Sequence, residues 1–138
     1  MAEKFHLGLV QMSATADPDK NLQRAIHRLH QAAANGANIV CLPELFQTQY
    51  FCQREDAALF DLAESVPGRT TSQLAETAKL LHIVVIASLF EKRAPGVYHN
   101  TAVMIDADGY EFACVTHEAT IAFRSRSRSW PPCRQECP

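Results

Sequence analysis

Two hydrophobic periods alternate along this chain. Residues 6–12 form a short apolar run around Leu7, Leu9 and Val10 and predict a first strand. Leu22, Ala25, Ile26, Leu29 and Ala33 then recur at helical spacing and make one apolar stripe. Asp17 and Pro18 open that helix, the Asp as N-cap and the Pro at the first helical position. Gly36 closes it as a left-handed cap residue. Residues 37–42 are apolar again and predict a second strand. Strand, helix and strand make a βαβ unit, whose two strands run parallel.

The second half repeats the alternation. Residues 53–64 carry Leu59, Phe60, Leu62 and Ala63 and predict a short helix. Val66-Pro67-Gly68 is a turn. Thr70 and Gln73 read as a capping box for a helix whose buried stripe is Leu74, Ala78 and Leu81. Residues 83–90 form a long apolar strand, expected to be buried on both faces. The chain turns at Arg93-Ala94-Pro95-Gly96. Residues 101–105 and 110–115 then alternate around Asp106-Ala107-Asp108-Gly109, the pattern of a hairpin. Asn100, just before it, is expected to pair with backbone at a turn. The fold class is α/β.

Composition narrows the class. A chain of 138 residues with 47% hydrophobic and 20% charged positions fits one globular domain. The net charge of −2 excludes an overall basic nucleic-acid binder. No apolar run reaches membrane-spanning length, so no membrane partner is expected. The first residues lack the basic start and long apolar stretch of a secretory signal, which makes the cytoplasm the expected location. Five Cys without such a signal predict free thiols. Cys41, inside an apolar strand, reads as a small core residue. Cys133 and Cys137 lack a second ligand pair, and His27 and His30 fall on the polar face of a helix, so no metal site is expected. Arg124, Arg126, Arg128 and Arg134 stand among Ser and Pro, so residues 124–138 are expected to be a disordered tail.

One position carries candidate chemistry. The run Ile39-Val40-Cys41-Leu42-Pro43 ends in Glu44, at the carboxyl end of the second strand. Open α/β sheets place ligands and chemistry at that end. Walled by Leu42, Leu45 and Phe46, the carboxylate would be partly desolvated and suited to taking a proton near neutral pH.

The surrounding segments, in order, resemble a known family. They are Ala34-Asn35-Gly36-Ala37-Asn38, Pro43-Glu44-Leu45-Phe46, Tyr50-Phe51-Cys52-Gln53, Val66-Pro67-Gly68-Arg69 and Tyr98-His99-Asn100-Thr101, followed by Asp106 to Gly109. This set is similar to the nitrilase superfamily of carbon–nitrogen hydrolases, and within it to the N-carbamoylputrescine amidase branch. The resemblance implies the N-terminal half of an α-β-β-α sandwich. It implies hydrolysis of a small-molecule amide or carbamoyl amine in polyamine metabolism, without a metal or organic cofactor. It implies Glu44 as general base, Tyr50 and Phe51 as walls of the substrate pocket, and a homo-oligomer.

The resemblance runs to Gly109, which divides the chain into a family-like domain at 1–109, a divergent strand-like extension at 110–123 and the tail at 124–138. The family goes on to supply a catalytic Lys and a nucleophilic Cys. Here Lys92 is the last Lys of the chain, Cys52 reads as a pocket or packing residue, and nothing in the pattern matches Cys114 to the nucleophile. The chain alone is therefore expected to be inactive. The alternative is a truncated gene product that acts as a binding subunit of full-length partners. It follows that strands 39–42 and 83–90, lacking a second layer, should leave an apolar face open.

Overall fold

The structure, a computed structural model, describes residues 4–50 and 57–115. The tail at 124–138, Phe51, Cys52, Cys133 and Cys137 lie outside the described residues, as does the extension beyond Val115. The elements are β1 (Leu7–Leu9), α1 (Pro18–Ala34), β2 (Ile39–Cys41), a 3-10 turn at Ala57–Leu62, α2 (Arg69–Leu81), β3 (Val84–Ala94), β4 (Val97–Ile105) and β5 (Glu111–Val115). The strands form one sheet in the order β1-β2-β3-β4-β5. β1, β2 and β3 run parallel, and β4 and β5 are antiparallel to their neighbours.

The predicted caps form on α1. Asp17 accepts from the N–H groups of Asp19 and Lys20, both at 3.1 Å. These bonds satisfy two of the donors a helix start leaves open. At the other end Asn35 is the cap, and Gly36, at φ 86°, donates to Ala33 O at 2.9 Å. That left-handed turn suits Gly, which has no Cβ to clash. The backbone N–H of Lys20 holds the Asp17 carboxyl below its usual value of 3.8, with the Lys20 side chain helping. A carboxylate depressed on folding stabilises above its unfolded value and loses that contribution as pH falls through the folded one. Acid should therefore weaken the native chain at pH values below about 3.8 in a step that Asp17→Asn flattens. Thermal midpoints of both chains across that range provide the check, and parallel curves would refute it.

The start of α2 departs from the sequence reading. Thr71, not Thr70, takes the capping position, its hydroxyl accepting from Gly68 N–H at 2.8 Å. Thr70 turns its hydroxyl to Gln47 Nε2, while its N–H donates to Glu64 Oε2 at 3.1 Å. Thr70 can bond outside the helix because it is the second residue of α2, where the N–H has no intrahelical partner.

Both helices pack on one face of the sheet. Leu22, Ala25 and Leu29 of α1 and Leu74 and Ala78 of α2 meet Val40, Val85, Ala87, Leu89, Val103 and Ile105 of the strands. Burial alternates along β3, so the expectation of a strand buried on both faces is corrected. Val85, Ala87 and Leu89 are buried, while Val84, Ile86, Ser88 and Phe90 are only half-buried. Cys41 is corrected likewise. It is a half-buried free thiol beside the buried Val40 and belongs to the outer face. That face runs across the register from Leu9 through Cys41 and Ile86 to Met104. At its β1 edge Leu7 and Leu9 are 57% and 76% exposed. The apolar face expected from the sequence is open among the described residues.

Candidate active site

Glu44 follows β2 directly, past Leu42 and Pro43, at the carboxyl end of the parallel strands. The next residue, Leu45, adopts φ 48°. A left-handed Leu is strained and persists only where its surroundings hold it. Two contacts do so: its side chain is buried, and its N–H donates to Ser88 Oγ at a long 3.4 Å. Phe46 beneath it is 2% exposed and sits in the core. The loop beyond is fastened to both helices. Buried Asn21 of α1 donates to Gln47 O at 2.8 Å, and Gln47 Nε2 donates to Thr70 of α2.

This anchoring corrects the expected environment of Glu44. Leu45 and Phe46 turn inward, and Leu42 is buried with them, so they hold the loop from below rather than walling the carboxylate. Glu44 itself is exposed. Its defined partner comes from across the sheet. Asn100 Nδ2 donates to Glu44 Oε1 at 2.6 Å, and Ser88 Oγ donates to Asn100 Oδ1 at 2.6 Å. An amide hydrogen bond to a carboxylate is charge-assisted and shorter than a neutral one.

Asn100 therefore corrects the turn reading: it lies within β4, opposite Phe90 of β3, and its side chain reaches Glu44. Ser88 was not singled out by sequence. The available signal was a lone hydroxyl interrupting the apolar run at 83–90. Beside Asn100, the rings of Phe60, Phe90 and Tyr98 cluster with centroids 4.5–6.0 Å apart. Tyr50 lies on the Glu44 loop and is 60% exposed. Among the described residues, no group of His, Cys, Asp and Glu is placed to hold a metal ion. No described helix is long and apolar enough to cross a membrane.

The arrangement offers one carboxylate, oriented by a neutral donor and open on its far side. Chemically it can accept and return a proton.

Comparison with known proteins supplies the context. The carbon-nitrogen hydrolase family matches residues 6–132, so the match continues past Gly109. An N-carbamoylputrescine amidase of Solanum lycopersicum is 37% identical over 113 residues, covering 79% of this chain and 37% of that protein. A citrullinase of Francisella tularensis is 37% identical over 107 residues, covering 75% of this chain and 36% of that protein. The crystal structure of a carbon-nitrogen hydrolase from Helicobacter pylori superposes with a TM-score of 0.75 at 33% identity, over 80% of this chain and 39% of that one. The chain thus spans little more than a third of the length of the relatives it matches. By the family match, the sequence relatives and the shared fold, this chain belongs to the carbon-nitrogen hydrolase family.

Proposed function

We propose that this chain supplies the general-base half of an amidase site acting on small molecules with a terminal carbamoyl or amide group, of the N-carbamoylputrescine kind. The observation that carries the reading is the Glu44 carboxylate at the carboxyl end of the parallel strands, held by Asn100. The relatives named for N-carbamoylputrescine and citrulline hydrolysis support the carbamoyl class.

Three roles complete such a reaction. A thiolate attacks the carbonyl carbon and forms a thioester as the amine or ammonia leaves. A carboxylate takes the thiol proton and later activates the water that cleaves the thioester. A cation stabilises the oxyanion between. Glu44 fills the second role. No Lys follows Lys92 in these 138 residues, so on this reading the cation, and with it the thiol, comes from protein outside them. The open outer face, with Leu7 and Leu9 at its edge, favours a second layer of protein against it.

Ammonia release from N-carbamoylputrescine, citrulline and a simple ω-amide is the test. The 138 residues alone are expected to release none above a blank. A form that also supplies the thiol and the cation is expected to release ammonia from a carbamoyl substrate. Release by the chain alone would overturn this division of roles. Silence of the complete form on all three substrates would overturn the amidase reading.

A further inference from the structure

We infer that Asn100, oriented by Ser88, is a positioning residue that holds one oxygen of Glu44 and leaves the other to carry the proton. The inference rests on the general-base reading of Glu44.

Asn has an acceptor end and a donor end, and only the donor end can serve a carboxylate. The network fixes which end points where. Ser88 Oγ donates to Asn100 Oδ1, which turns Nδ2 toward Glu44. Had the amide been reversed, two oxygens would face each other across 2.6 Å at the Glu44 end. Ser88 is directed in turn. It receives the Leu45 N–H, so its own proton points to Asn100. The chain of donors runs from the Leu45 backbone through Ser88 and Asn100 to Glu44 Oε1. Each link polarises the next. It closes a ring on the chain itself, because Leu45 directly follows Glu44.

Two consequences bear on the chemistry. Asn100 is neutral and has no proton to give up, so it holds the carboxylate without competing as an acid. It occupies Oε1, and among the described residues Oε2 takes no hydrogen bond. An exposed Glu with one fixed oxygen keeps a defined direction for the other, which proton transfer over hydrogen-bond distance requires. An exposed Glu without such a tether samples several rotamers.

Side-chain carbon relaxation of Glu44 in the 138-residue chain tests the inference, with the exposed Glu76 of α2 as internal reference. In the native chain Glu44 should be ordered and Glu76 mobile. Asn100→Ala should drop the Glu44 order parameter into the flexible range, below about 0.6, matching Glu76. Ser88→Ala should lower it too, while Ser88→Thr, which keeps the hydroxyl, should retain the native value. Where Asn100→Ala does not fold by circular dichroism, the two Ser88 variants decide alone. Glu44 as mobile as Glu76 in the native chain, or unchanged order in the folded variants, overturns the inference. The readout involves no turnover, so its failure is separate from failure of the amidase reading.

Discussion

Glu44→Gln, in a form competent for ammonia release, is expected to lower the rate by about 10²–10⁴-fold, the range a positioned proton-transfer group contributes. The substitution is nearly isosteric. A Gln carbonyl still accepts from Asn100 Nδ2, so the loop keeps its geometry while the proton acceptor is lost. Glu44 is exposed, and stability should change by less than about 0.5 kcal/mol. The informative result is therefore a lost rate beside an unchanged unfolding curve. Full activity in Glu44→Gln would remove the base from Glu44.

The second large effect concerns the floor of the same loop. Phe46→Ala should cost about 3–5 kcal/mol, the range for emptying a buried aromatic site. Phe46 is among the largest fully buried side chains and contacts the core shared by both helices and the sheet. A small domain has only about 5–15 kcal/mol in total, so the variant should sit near its unfolding midpoint in mild urea. Urea titration followed by circular dichroism measures the loss. A shift of less than about 1 kcal/mol would mean the loop is not seated as described. Leu45→Ala removes less buried volume, and the difference between the two variants separates the aromatic anchor from general packing.

The elements were legible in the sequence where one local signal decided them. Asp17, Pro18 and Gly36 mark both ends of α1, and the Asp106–Gly109 turn marks the β4–β5 hairpin. The site was legible as far as Glu44, because a carboxylate that ends an apolar run is visible locally. Its setting was not. The outward turn of Glu44 depends on Leu45 entering the left-handed region, which no Leu announces. Asn100 lies far from Glu44 along the chain, and only the β3–β4 register brings it and Ser88 into reach. The same register decides which residues of β3 face the helices. Thr70 and Thr71 illustrate the limit at short range: adjacent and chemically alike, they exchange roles because Gln47 reaches one of them.

Asn21 has a dynamic consequence. Its buried side chain joins Thr15 and Gln47, so it ties the strand-to-helix connection before α1 to the loop after Glu44. Functional loops commonly belong to the least stable part of a protein and open by themselves. This one is stitched to α1 through Asn21 and to α2 through Thr70. Opening it means breaking bonds to two helices, so the segment that carries Glu44 is expected to exchange its amides more slowly than an untethered loop. Under the proposed function, a substrate would meet a loop already fastened to both helices before it arrives.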